Sequence, residues 1–104
     1  MFNERQMLYR HGDVLVQRIE ALPAAHPRPS VTLARGEVTG HSHRFSQATQ
    51  VQLYQAGAET FVQVLSESAD LIHEEHATIT LPRGFYKVWM QREYSPEAIR
   101  RVLD

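Results

Sequence analysis

The sequence predicts an all-β fold, a small β-barrel or sandwich with a short C-terminal helix, and three observations carry that expectation. Short stretches rich in β-branched and aromatic residues recur between turn-forming residues. Ala77-Thr78-Ile79-Thr80-Leu81 alternates with period two, as a half-buried strand does. Phe85 to Tyr94 is the longest extended candidate, with Tyr86, Val88, Met90 and Tyr94 on one face and Phe85, Lys87, Trp89, Gln91 and Glu93 on the other.

Taken in order, His11-Gly12-Asp13 is a turn signal and Val14 to Ile19 a strand rich in β-branched residues. Glu20 to Ser30 carries Pro23, Pro27 and Pro29, which remove ladder donors and imply an irregular loop or an edge segment. Val31 to Leu33 forms a short strand ending at Arg35-Gly36, and Glu37 to Phe45 follows with glycines that permit close backbone approach. Val51 to Gln55 alternates, Gly57 turns the chain, and Glu59 to Leu65 is the next strand. Ser66-Glu67-Ser68 reads as a turn before Ala69 to Ile72, and Pro82-Arg83-Gly84 as a turn before the last strand. Ser95 and Pro96 suit the N-cap and first position of a helix whose apolar stripe is Ile99, Val102 and Leu103.

The 104 residues suffice for one domain spanning positions 1–104 with a single modest core. A net charge of −1 leaves no basic excess to neutralise phosphates, so nucleic acid is not an expected partner. The absence of cysteine excludes a disulfide scaffold, thiolate ligands and a cysteine nucleophile. Met1 to Arg10 lacks the apolar centre of a signal peptide, and no apolar run approaches the roughly 18 residues of a membrane span. A cytoplasmic protein without membrane contact is the expectation.

Chemistry concentrates in the histidines. Four of the six fall in His41-Ser42-His43 and His73-Glu74-Glu75-His76. On an extended strand His41 and His43 point to one face, an economical way for a sheet to present two imidazoles. His73 and His76 face opposite ways in a strand but converge in a turn. Brought together, the four form a site for a divalent transition metal such as Zn, Fe, Mn or Ni. Four ligands close a tetrahedral zinc site, whereas three leave a position for water or substrate. Glu37, Glu74 and Glu75 are candidates to orient the ligands or to move protons. His11 and His26, standing alone beside glycine and proline, read as structural or incidental.

Other chemistries fit less well. Ser42 points away from its histidine neighbours and no Gly-x-Ser-x-Gly elbow exists. Adjacent Glu74 and Glu75 on a strand cannot flank one glycosidic bond. The basic residues Arg83, Lys87, Arg92, Arg100 and Arg101 are balanced by Glu93, Glu97 and Asp104, as on a solvated surface.

Around these motifs the chain resembles the cupins, small β-barrels that often hold a metal through histidines. His41-Ser42-His43 matches the start of the first cupin motif, with Gly36 before it and Gln47 where the motif places its carboxylate. In the second motif Pro82 and Gly84 match, while Lys87 stands at the ligand histidine and Gln91 at the asparagine. The resemblance covers roughly residues 36 to 91. It implies a barrel and a histidine-bound metal, with His73 and His76 replacing the missing ligand by another route. Metal-assisted chemistry on a small-molecule ligand follows as one functional expectation. The other is a non-enzymatic accessory module, such as a homodimer joined through the aromatic last strand and terminal helix, with the histidines structural.

Overall fold

Alternation of apolar side chains sets the sheet. The computed structural model describes residues 7–35 and 40–91. The expected terminal helix, Tyr94 and Glu37 lie outside these residues. In β2 (Val14–Ile19) Val14 and Val16 are fully buried on the core face. β1 (Leu8–His11) pairs with it as a hairpin across Gly12-Asp13, with Gly12 at φ +65°. β3 (His26–Arg28), β4 (Thr32–Arg35), β5 (Ser42–Phe45) and β6 (Val51–Ala56) are short, while β7 (Glu59–Ile72) and β8 (Ile79–Met90) are long. A single turn of 3-10 helix, Ala48–Gln50, leads into β6.

Every pairing is antiparallel, in the order β1-β2-β8-β7-β5-β4, with β6 on the first part of β7 and β3 on β6. Burial of Leu53, Val62, Val64, Leu71, Leu81 and Tyr86 builds one apolar core on one face of this sheet. Tyr86 and Val88 point into it, as the alternation along the last strand predicts, with Met90 packed against it. The Tyr86 hydroxyl, buried with its ring, donates to the Pro82 carbonyl at 2.5 Å, which removes the cost of burying it.

Two predicted turns lie inside strands. Ser66-Glu67-Ser68 belongs to β7 and Pro82-Arg83-Gly84 to β8. The turn-forming residues instead mark a bulge, since the β7–β8 register shifts between Val64 and Ser68. Ser66 Oγ donates to the Ser68 carbonyl at 2.6 Å, and Arg83 Nε to the Ser66 carbonyl at 3.2 Å. Gly84 takes φ +153°, and a Cβ there would lie 2.7 Å from Arg18 Nη2. Proline and glycine thus bend the long strand pair without ending it. The proline-rich Glu20–Ser30 segment does contain an edge strand, β3. Leu8–His11 is an additional strand that the sequence pattern did not reveal.

The expected barrel is not closed by backbone hydrogen bonds among the described residues. β1 and β4 end the ladder, and each has only four residues, too few to supply the staggered register that closure demands. β4 is also interrupted by an irregularity between Thr32 and Ala34. No helix among the described residues is long and apolar enough to cross a membrane.

Candidate metal centre

The pairing of β5 with β7 explains why the two histidine motifs meet. Arg44 lies opposite Ile72 and Phe45 opposite Leu71. Extending that antiparallel register by one position sets His43 against His73, and their ring centroids are 4.3 Å apart. Beyond His73 the chain bends, so His76 returns to within 4.6 Å of the His73 ring and stacks at 5.5 Å on His43. His41 completes the group at 5.8 Å from His73. All four histidines singled out in the sequence therefore converge.

The two glutamates between His73 and His76 hold this bend on β5. Glu74 Oε1 accepts the Ser42 backbone N–H at 3.1 Å, and Oε2 accepts Arg44 Nη1 at 3.0 Å. Arg44 also donates to the Ser42 carbonyl at 2.9 Å and to its hydroxyl at 3.1 Å. Donation from the Ser42 backbone and the Arg44 charge favour the carboxylate, after the bond to the Glu74 amide itself, so the Glu74 pKa is lowered. Glu75 Oε1 meets His41 Nδ1 at 2.8 Å. In the His-Glu-Glu-His motif, then, the outer residues enter the cluster and the inner ones fasten it. Replacing Glu74 with alanine is expected to speed amide hydrogen exchange at Ser42 while leaving the core amide of Val62 unchanged. Equal rates at Ser42 in parent and variant would remove Glu74 from this role.

A further histidine stands among them. His11, at the end of β1, is 2 % exposed, and its Nδ1 lies 2.9 Å from His43 Nδ1. Its ring is 5.8 Å from that of His76 and 6.2 Å from that of His73. The expectation that His11 is incidental is therefore corrected: the β1–β2 turn carries it into the cluster from the side of the sheet opposite β5. His26 lies exposed on β3, away from these contacts. Gly12, next to His11 in the chain, has no room for a side chain, because a Cβ would fall 2.6 Å from His76 Nε2 and 3.0 Å from His43 Cε1. Asp13 Oδ1 lies 3.6 Å from His43 Nε2.

Burial is graded across the site. His11 and His43 are buried, His41 and His73 half-buried, and His76, Glu74 and Glu75 exposed, so the cluster opens to solvent on the side of the bend. Desolvation, and then the nearby His11 and His73, push the His43 pKa down to about 4, against a smaller opposing effect of Asp13. Burial and then His76 lower that of His11, with the Ala77 backbone acting in the opposite sense. Buried neutral imidazoles crowded together are the protonation state that metal ligation needs.

Two sets of three donors lie close enough to share an ion, each with ligand atoms within 4.8 Å of one another: His43, His73 and His76, or His41, His73 and Glu74. Ligands of a tetrahedral zinc stand roughly 3.3 Å apart, from bond lengths of about 2.0–2.1 Å, so the donors are near that geometry and need a modest contraction. The all-histidine set is the better one. Both oxygens of Glu74 already hold β5, and using one for a cation weakens the fastening that assembles the site. His73 Nδ1 accepts the Glu75 N–H at 2.9 Å. Ligation through Nε2 would move the ring proton to Nδ1 and release that amide.

Two positions of the cupin pattern stay out of the cluster. Lys87, at the place of a ligand histidine, pairs with Glu59 at 2.7 Å and lies 5.9 Å from the centre of the Trp89 ring. Gln47, at the place of the carboxylate, is exposed at the start of the 3-10 turn.

Fold and site together define a class: an all-β domain with an open antiparallel sheet and a polyhistidine cluster at the junction of its first hairpin, β5 and the β7–β8 bend. More narrowly, residues 10–91 match the model of a family described as "Domain of unknown function (DUF8820)", and the chain belongs to that family. The matched span contains every histidine of the cluster. Comparison with curated proteins and with solved structures gave no match.

Proposed function

We propose that this chain binds one divalent transition metal through His43, His73 and His76, with His41 at the rim as a further donor. The observation that carries the reading is the convergence of three imidazoles with donor nitrogens within 4.8 Å, on segments that are distant in sequence. Nitrogen donors suit zinc, iron, nickel or copper better than magnesium or calcium. His41 supports it as well: its Nδ1 lies 2.8 Å from Glu75 Oε1, and a carboxylate on one ring nitrogen is a common arrangement for a ligating histidine.

Three protein donors leave a coordination position on the solvent side. A metal there acts as a Lewis acid toward a small oxygen-bearing ligand or lowers the pKa of a bound water. Asp13, Glu74 and Glu75 stand nearby to take up protons. In this reading the protein is a cupin-like metal-binding domain in which the His73–His76 bend replaces the second cupin motif.

Cobalt(II) titration of tag-free protein followed by visible absorption tests the reading. The parent is expected to bind one equivalent and develop the intense bands of a four- or five-coordinate nitrogen site. His43→Ala is expected to bind at least about 100-fold more weakly, since one of the three ligands is removed. A parent spectrum no different from that of aqueous cobalt contradicts the proposal. That outcome, with a homodimer that dissociates on acidification regardless of metal, would favour the accessory-module reading.

A further inference from the structure

The strongest unexplained feature outside the donor set is His11. It is buried, 2 % exposed, and its Nε2 has no hydrogen-bond partner, an uncommon and costly situation for a polar atom. Its other nitrogen faces His43 Nδ1 at 2.9 Å, with the two rings close to perpendicular at 76°. Only one proton can occupy that short contact, so one imidazole donates and the other accepts.

Resting on the metal-binding reading above, we infer that His11 is the positioning residue of the centre, accepting a hydrogen bond from His43 Nδ1 and thereby making Nε2 the metal-ligating atom of His43. The reverse assignment would put the proton of neutral His43 on Nε2, the atom that lies 3.6 Å from Asp13 Oδ1. It would leave that histidine no lone pair for an ion. In the assignment made here the neutral His11 ring carries its own proton on Nε2, the atom that has no hydrogen-bond partner among the described residues. The arrangement has the form of an outer partner fixing the tautomer and direction of a ligating imidazole, with a second histidine in the place usually taken by a carboxylate or carbonyl.

The position also has a structural logic. β1 and β5 share no ladder, and the His11–His43 contact joins them across the open side of the sheet. The contact that orients the ligand thus also links the first hairpin to β5, beside the ladder that holds the hairpin on β8.

The test uses the full chain loaded with zinc or cobalt. Long-range nitrogen–proton NMR of the zinc-loaded parent is expected to show His43 protonated at Nδ1 and bound through Nε2. His11→Asn, whose side-chain oxygen reaches the place of Nδ1, is expected to keep cobalt affinity within about 3-fold of the parent. His11→Phe, which fills the volume without an acceptor, is expected to lose about 10- to 100-fold and to alter the cobalt bands. Binding of His43 through Nδ1 overturns the inference while leaving metal binding intact, and so does parental affinity in His11→Phe. Should His11→Phe not fold, the nitrogen assignment in the parent and the rescue by asparagine still decide. A parent chain that binds neither metal overturns both the inference and the reading on which it rests.

Discussion

Acidification from pH 7.5 to pH 4 is expected to remove on the order of 3 kcal/mol of folding stability through His43 alone, from its displacement from 6.5 to about 4. The direction follows from the sign of that displacement. A histidine whose pKa is lowered in the folded state remains neutral there while the unfolded chain takes up a proton. Stability is therefore full above about pH 6.5, falls as the pH drops, and the loss is complete below about pH 4. His11 is shifted the same way and adds to the loss as the pH falls below about 6.5. Glu74, shifted down from 4.5, adds a further loss at lower pH as its carboxylate is protonated and releases Ser42 and Arg44. Urea denaturation at several pH values measures this, read from the midpoint at constant slope. His43→Ala should have a much flatter dependence between pH 6.5 and pH 4. Saturating zinc should steepen the parent's dependence, because an ion that binds only the folded chain adds stability that protons compete away. A parent as stable at pH 4.5 as at pH 7.5 would show that the imidazoles are not buried and crowded as described.

Gly12→Ala is expected to cost about 2–5 kcal/mol. Left-handed backbone costs a residue with a Cβ roughly 1–2 kcal/mol, and forcing a methyl into a packed site about 1–3 kcal/mol more. Here the methyl would meet His76 Nε2 at 2.6 Å and His43 Cε1 at 3.0 Å. Gly57 supplies the control. It has nearly the same backbone, φ +61°, with nothing within 4 Å of the added carbon. Gly57→Ala should therefore show only the backbone part, and the difference between the two variants isolates the contact with the histidines. Metal affinity should separate them more sharply, with Gly57→Ala unchanged and Gly12→Ala weakened as His43 and His76 are pushed apart. Equal thermal midpoints for the two variants would mean that the first hairpin does not press on the cluster.

How far the sequence announces this arrangement varies by element. His41-x-His43 was legible as a pair because strand geometry has a fixed period of two, although β5 begins at Ser42 and only His43 of the pair lies in the strand. The convergence of His73 with His76 depends on a bend between β7 and β8, and no glycine or proline in His73-Glu74-Glu75-His76 signals one. What makes the bend is tertiary: Glu74 and Glu75 bond to β5. Serines 66 and 68 and the Pro82-Arg83-Gly84 run were read as turns because those residue types mark any departure from a regular strand. A bulge that bends a long hairpin uses the same residues as a turn that ends one. The barrel expectation counted strands correctly in kind, but closure depends on the lengths and stagger of β1 and β4, which composition does not encode. His11 was missed for a similar reason. A lone histidine before Gly-Asp has no local pattern, and its partner His43 is far away in sequence. The signal available was its place at a hairpin turn immediately before a strand as apolar as Val14-Leu15-Val16.

The histidine cluster also adds a link between segments that share no ladder. The first hairpin is tied by ladder to β8, and Gln91 N–H donates to the Asp13 carbonyl at 2.9 Å. Its turn is tied by imidazoles to β5 and the bend. An ion held by His43, His73 and His76 would join β5 to the bend, so loading and folding stability are expected to rise together.

The most direct measurement of the central claim is anomalous diffraction at the zinc edge from crystals of tag-free protein grown with one equivalent of zinc. The account expects one strong peak lying about 2.0–2.1 Å from a nitrogen of each of His43, His73 and His76. No peak among these three histidines, with zinc absent or bound only elsewhere on the surface, would contradict it.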